Sequence, residues 1–269
     1  MARPTDLFTI YRDFDERVVA AVRAETYGQD IGQNSWTTVD EAERFVEWLH
    51  LGPEKRALEV ASGSGGPACF LAERTGCRVS GIDANEHGVA TATRHALERG
   101  LSGRVEFRLA DANAPLPFAD GTFDALSCVD SLNHLPDRLG VLREWARVLR
   151  PGGRALFTDP VVITGPVTND ELALRSSIGL FLFVPPGLNE SLIEQAGLRL
   201  VRQEDVTANA ALVAGRWHRS RAAHREELLR IEGPERFEGL QRFLQAVEKL
   251  TAERRLSRIA YFAERPSGA

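Results

Sequence analysis

The sequence predicts an α/β fold: a doubly wound, mostly parallel seven-stranded sheet, with helices ahead of it and a helical insertion before its last strand. Three observations predict it. Between residues 56 and 162, short apolar runs alternate with segments of helical period, the rhythm of a parallel sheet covered on both faces. The run Ala57-Leu58-Glu59-Val60 leads through Ala61-Ser62-Gly63-Ser64-Gly65-Gly66 into a helix pattern. Such a turn lets a ligand approach bare backbone at a helix N-terminus. Finally, Glu59, Asp83, Asp111 and Asp130 recur where successive strands end, the edge at which these sheets bind ligands.

The elements follow in order. Residues 12–25 read as a helix, with Phe14, Val18, Val19 and Val22 on one face. Residues 27–36 form a polar loop. Thr38-Val39-Asp40-Glu41 fits a capping box for a helix that ends before Gly52-Pro53. Strands are expected at 56–61, 78–83, 105–111, 123–129 and 155–162. The helix after the first strand has Pro67 in its first turn. Asn85 caps a helix that stops at Gly100, and a further helix, 139–149, is closed by Arg150-Pro151-Gly152-Gly153. Residues 165–186 are apolar but broken by Gly and Pro. A short helix at 188–196, a strand at 198–206 and a final strand at 259–264 complete the sheet. Residues 208–255 read as helical, interrupted at Gly215, Gly233-Pro234 and Gly239. Three regions result: an N-terminal helical cap (1–50), a core (51–207 with 258–269), and a helical insertion (208–257) placed to act as a lid.

Composition narrows the function. The 269 residues carry a formal net charge of −5 and no block of Lys or Arg, which argues against nucleic acid as a partner. The longest apolar run, near 178–184, is far short of the ~20 residues that span a bilayer. The first ten residues carry Arg3 and Asp6 and no apolar core of the signal-peptide kind. Cys69, Cys77 and Cys128 show no metal-ligand spacing and read as small packing residues of a reduced, cytoplasmic protein. No metal is expected. Monomer and homodimer both stay open.

The glycines alone leave two cofactors open. Gly63-Ser64-Gly65-Gly66-Pro67-Ala68 matches G-x-G-x-x-A, and Asp83 follows twenty residues after Gly63, the fingerprint of an NAD(P)-dependent oxidoreductase. A pyrophosphate is poorly served by a carboxylate at the turn, however. Four acids along one edge suit a ligand bearing an ammonium and a sulfonium, such as S-adenosylmethionine.

On these motifs the chain resembles a class I S-adenosylmethionine-dependent methyltransferase of the small-molecule type. LEVASGSGG resembles the family's first motif, GIDAN the second-strand motif, ADA the adenine motif, FDALSCVDSLNHLPD the fourth-strand motif, and LRPGGRALFTD the junction into the fifth strand. Together they cover residues 56–162 in the family's order. Ala61 stands where the family usually has its first glycine, and alanine fits there if φ is negative. The resemblance implies a Rossmann-like methyltransferase fold and a set of roles. Ala61, Gly63 and Gly65 admit the methionine moiety and ribose. Asp83 accepts from both ribose hydroxyls. Ala84 packs on the adenine, with Asp111 and the Ala112 N–H on its edge. Glu59 and Asp130 lie near the ammonium. The segment holding Tyr27, Ser35 and Trp36 closes over the cofactor.

Methyl transfer asks the protein mainly to align an acceptor and exclude water. An alcohol must also lose a proton. His134, in Asp130-Ser131-Leu132-Asn133-His134, is the candidate general base, and Asp159 the candidate group to orient it. The Asp-x-x-x-His pattern is similar to that of phosphoethanolamine and sugar O-methyltransferases, and the chain also resembles the sarcosine/dimethylglycine group. In the phosphoethanolamine group an N-terminal tyrosine works with the histidine, and Tyr11 is the nearest counterpart. His50, His87, His95, His218 and His224 lie on helices or their ends and read as surface or packing residues, with Trp217-His218 the exception to watch. A phosphorylated acceptor would need clustered cations, and Arg175 is the one cation of its region. The expected acceptor is therefore a small, partly apolar molecule methylated on oxygen or nitrogen.

Overall fold

Alternation along the first strand sets two faces of the sheet. In β1 (Arg56–Val60), Leu58 and Val60 join one apolar cluster and Ala57 the other, as the two-residue side-chain period requires. The computed structural model describes residues 11–267. It adds β2 (Arg78–Asp83), β3 (Val105–Leu109), β4 (Phe123–Cys128), β5 (Leu149–Ile163), β6 (Arg199–Asp205) and β7 (Leu256–Glu264) in one sheet of order β3-β2-β1-β4-β5-β7-β6. The pairs from β3 to β5 are parallel, and β7 runs antiparallel between β5 and β6. The strand order reverses between β1 and β4, so the crevice at their C-terminal ends is the ligand position of a doubly wound sheet.

Helices cover both faces. On one, α5 (Arg138–Val148) and α7 (Leu188–Gln195) bury Leu142, Trp145 and Ile193 against Leu58, Leu126 and Phe157. On the other, α2 (Val39–Leu49), α3 (Gly66–Thr75) and α4 (Glu86–Glu98) bury Phe45, Leu71 and Ala96 against Val79, Leu156 and Phe262. The cysteines are free and buried. Asn85 caps α4 by accepting from the N–H groups of His87 and Gly88.

A third layer lies above the strand ends. It comprises α1 (Arg17–Tyr27), α8 (Thr207–Ala223) and α9 (Arg225–Ala252), whose apolar faces meet through Val22, Leu228, Phe237, Val213 and Phe243. Among the described residues no helix is long and apolar enough to cross a membrane.

The structure corrects several local expectations. Gly215 and Gly239 continue their helices, and the one non-helical residue of α9 is Gly233, at φ 74°, ψ 166°, just before Pro234. Residues 165–186 hold an unexpected helix, α6 (Asn169–Arg175), opened by a capping box between Thr168 and Glu171. At α2 the box is only half made. Thr38 Oγ accepts the Glu41 N–H at 3.4 Å, but the Glu41 carboxylate turns inward to Arg258.

Ala61 is corrected too: its φ is +56°, in the left-handed region that costs a non-glycine residue about 1–2 kcal/mol. Ala61→Gly removes that strain but loosens the unfolded chain, an opposing effect of about 0.4–1 kcal/mol. The expected net change in thermal denaturation is neutral to mildly stabilising.

Candidate active site

The turn after β1 is covered by the segment that follows α1. Ser64 Oγ donates to the Gly32 carbonyl at 2.8 Å, and Gly32 lies directly over Gly66. Beneath it opens a cavity lined by Tyr11, Asn34, Ser35, Glu59, Ala61, Gly63 and Ser131. A Cβ on Gly63 would fall 2.3 Å from the Tyr11 hydroxyl, so bare backbone is required there. Gly65 is bare for a different reason. Its Cβ would strike Phe107 and Ala92 at 2.6 and 2.7 Å, so it lets α3 and α4 close on the sheet and does not line the cavity.

Glu59 faces this cavity from the end of β1. It is 3% exposed, and its carboxylate accepts from the Ser127 hydroxyl. Burial pushes its pKa up to about 8, against the Ser127 bond. Asp83, at the end of β2, accepts the N–H groups of Gly63 and Asn85, each at 2.8 Å. Burial raises its carboxyl as well, against those bonds. Ala84 and Asp111 are exposed beyond it, Ala112 is buried, and Asp111 accepts from Asn113 N at 2.9 Å.

Asp130, expected near the ammonium, lines a larger, neighbouring cavity and is absent from the lining of the one at the turn. It follows β4 with φ +52°, and both its oxygens are taken. Oδ2 accepts the Trp36 N–H at 2.8 Å. Oδ1 accepts from Thr158 Oγ1 and Arg258 Nε, each at 2.7 Å. Arg258 also donates to both Glu41 oxygens at 2.7 and 2.8 Å and to Thr37 Oγ1 at 2.7 Å. Both Asp130 oxygens are thus engaged, and what it holds is the segment carrying Ser35 and Trp36. Tyr27 lies outside the cavity under Gly63. Its hydroxyl donates to the Ser35 carbonyl at 2.8 Å, and burial raises its pKa.

A second, larger cavity adjoins the first, and Asn34 and Ser35 line both. Its walls are mostly apolar, from Phe14, Val22, Trp36, Ile178, Phe181, Trp217, Leu240 and Phe243, and Asp130 and His134 also line it. Trp36 therefore faces this cavity and not the one at the turn. Two ion pairs also line it, Arg221–Glu232 at 2.6 Å and Arg236–Asp13 at 2.8 Å.

His134 ends a single 3-10 turn, Leu132–His134. Its Nδ1 lies 2.6 Å from the Leu180 carbonyl. A carbonyl only accepts, so Nδ1 carries the proton and Nε2 the lone pair. The Asn133 amide nitrogen approaches Nε2 at 3.1 Å, and the Phe181 ring lies 4.6 Å away, edge-on. Burial lowers the histidine's pKa despite the Leu180 bond, and Arg175 adds to that effect. His134 is therefore neutral at physiological pH.

Asp159 does not orient this histidine. It is fully buried and accepts from Arg138 Nη1 at 2.5 Å and Asn189 Nδ2 at 2.9 Å. The group that fixes the ring is the Leu180 carbonyl, from a segment whose sequence gives no sign of it. Arg258 was equally hidden. Tyr11 and Trp217, by contrast, both line cavities.

A doubly wound sheet whose small-residue turn opens on a cavity backed by a buried acid is the arrangement of a protein that binds a nucleoside cofactor. The comparisons place it further. Residues 58–157 match a family model described as a methyltransferase domain. The 27-O-demethylrifamycin SV methyltransferase of Amycolatopsis mediterranei is 32% identical over 256 residues, covering 90% of this chain and 88% of that protein. Methyltransferase GfsG of Streptomyces halstedii is 37% identical over 171 residues, 61% of this chain and 60% of that protein's length. The crystal structure of a putative sarcosine dimethylglycine methyltransferase from Galdieria sulphuraria superposes with a TM-score of 0.78 at 19% identity, covering 95% of this chain and all of that one. The chain belongs to the class I S-adenosylmethionine-dependent methyltransferases, and the oxidoreductase alternative falls away.

The cavity at the turn fits that cofactor. Glu59 is a buried acid whose carboxylate form a bound cation would favour, and Ser62 Oγ, in the same lining, is buried without a hydrogen-bond partner among the described residues.

Proposed function

We propose that this enzyme transfers a methyl group to a hydroxyl oxygen of a bulky, mostly apolar small molecule, with His134 as general base. The observation that carries the reading is the shared wall. The cavity at the turn and the apolar cavity meet at Asn34 and Ser35, and His134 lines the apolar one, its Nδ1 held by the Leu180 carbonyl.

When bound, S-adenosylmethionine supplies a methyl group on a sulfonium that is already a good leaving group. The chain's own task is alignment and proton removal. Glu59 holds the ammonium, and Asp83 the ribose hydroxyls. Asp111 and the Ala112 N–H serve the adenine edge beside Ala84. Residues 32–36, held by Asp130 and Arg258, exclude water over the turn. His134 Nε2 takes the hydroxyl proton as the oxygen bonds the methyl carbon, and the Asn133 amide gives way to the acceptor. A base of this kind contributes about 10²–10⁴-fold. The relative from Amycolatopsis mediterranei, whose name gives an oxygen of a demethylrifamycin as its acceptor, supports oxygen over nitrogen. So does the need for a base, which a neutral amine lacks. The insertion 208–257 supplies the outer wall and would act as the lid.

The test is an acceptor panel with S-adenosylmethionine, including 27-O-demethylrifamycin SV, other hydroxylated macrocycles and sarcosine. Methylated product from a hydroxyl compound, with S-adenosylhomocysteine released, is the expected result. Methylation of the amine alone would overturn the oxygen assignment.

Glu59 makes a separate prediction. Its carboxyl, at about 8 in the folded protein, binds a proton that the unfolded chain has already lost, so stability without cofactor falls as pH rises from about 4.5 to about 8. An ammonium beside it favours the carboxylate and expels that proton. S-adenosylhomocysteine affinity should therefore climb between about pH 6 and pH 8, by at most about tenfold per unit. Glu59→Gln should flatten the slope in calorimetric titrations.

A further inference from the structure

Arg175 is a buried charge that no acid among the described residues touches, although Asp130 and Asp159 attract it from a distance. It is the last residue of α6 and 1% exposed, and neither Nη1 nor Nη2 has a hydrogen-bond partner among the described residues. Buried charges are ordinarily paired, because an unpaired one is costly. The other deeply buried arginines obey this: Arg138 pairs with Asp159, Arg221 with Glu232, and Arg258 with Glu41 and Asp130. Arg175 instead lies against two neighbouring rings, its guanidinium carbon 4.4 Å from the centre of Phe181 and 4.9 Å from that of Phe243, the ring centres being 6.0 Å apart. Both rings line the acceptor cavity, and Phe181 also contacts the His134 ring.

The two aromatic faces are weak substitutes for an anion. Phe181 is only half-buried, so it is the ring free to yield. Turning it would open the guanidinium to the cavity close to the base. Neither Asp130 nor Asp159 fills this role, since each carboxylate is held by another arginine.

We propose that Arg175 is a specificity-determining residue that pairs one anionic oxygen, a carboxylate or an ionised phenol or enol, on an otherwise apolar acceptor. The inference rests on the apolar cavity being the acceptor site. A lone guanidinium matches one such oxygen through its paired N–H groups. The anion replaces the ring contact and secures the acceptor beside His134.

The experiment uses the full chain loaded with S-adenosylhomocysteine, titrated with 1-naphthoate, pentafluorophenolate and the neutral 1-naphthalenemethanol. Binding is read by calorimetry and by quenching of Trp36 and Trp217. The expected result is at least a tenfold preference for one anion over the alcohol. Which anion is preferred tells the carboxylate source from the phenolate source. In Arg175→Met that preference should vanish, with the alcohol and S-adenosylhomocysteine binding as before and a melting temperature no lower than wild type. A merely structural arginine would do the reverse, lowering the melting temperature and leaving relative affinities alone. Equal binding of all three probes by the wild type, no detectable binding of either anion, or a preference that survives Arg175→Met each overturns the proposal. Methylation of a neutral alcohol in those cases would leave the methyltransferase reading standing.

Discussion

Replacing His134 with alanine should lower kcat for a hydroxyl acceptor by about 10²–10⁴-fold while leaving S-adenosylhomocysteine affinity unchanged. The reason lies in its position. The ring borders the acceptor cavity and is absent from the lining of the cavity at the turn, so its loss removes proton transfer and not cofactor contacts. The pH profile gives the sign. Burial disfavours the charged imidazolium and moves the pKa below its ordinary value, which is about 6.5. The reactive neutral form therefore persists to lower pH than for a free histidine. The acid limb of kcat/KM should fall below pH ~6.5, and it should be absent from the residual activity of His134→Ala. Asp159→Asn supplies the contrast. Its carboxylate holds Arg138 and Asn189 and makes no hydrogen bond to His134, so that variant should lose stability without moving the acid limb. An Asp159→Asn enzyme with a displaced limb and normal stability would restore the pairing that the structure rejects.

The difference between these two residues shows what is legible in the chain. His134 follows a strand ending that the sequence marks by a continuous apolar run and an acid, so its place over the sheet edge can be read off. Its partner cannot: the Leu180 carbonyl lies 46 residues away in a segment without regular structure, and backbone carbonyls carry no sequence signature. Local rules read well where the interaction is local. Asn85 capping α4 and the pattern of β1 through β5 are of that kind. The box at Thr168-Asn169-Asp170-Glu171 was equally readable, and it announces α6 inside a stretch that looks only apolar and broken. Distant pairs do not read. Glu41 has the capping-box spacing, yet its carboxylate leaves the helix terminus because an arginine 217 residues on is buried beside it. The sign of φ at Ala61 is likewise invisible, since alanine discloses nothing about a turn that glycine would have betrayed. The acceptor cavity is the least legible part, because α1, α8 and α9 build it jointly from separate regions of the chain.

That buried arginine carries the largest expected effect on stability. Arg258→Met should destabilise the protein by about 3–5 kcal/mol, lowering the melting temperature on the order of 10 °C. Arg258 and Glu41 are completely buried, and Asp130 nearly so. Burial opposes the arginine's charge, but Asp130 and Glu41 outweigh it and raise its pKa. Without the guanidinium two carboxylates remain in an apolar interior, and the loss is mostly the cost of leaving them there. The pH dependence follows. Burial already holds the Glu41 carboxyl above its usual value with Arg258 in place, and removing the cation pushes it higher. The folded variant then binds a proton that the unfolded chain does not, so its deficit against wild type should shrink as pH falls toward the raised value and be full above it. Adding Glu41→Met to Arg258→Met should recover part of the loss, since one stranded charge goes with it. Function should suffer through a different link. Arg258 and Asp130 hold Thr37 and Trp36, next to the Asn34 and Ser35 wall between the cavities. In the double variant at a pH where it is folded, S-adenosylhomocysteine affinity should still be weakened. Full affinity there would mean that the segment closes over the turn without this tether.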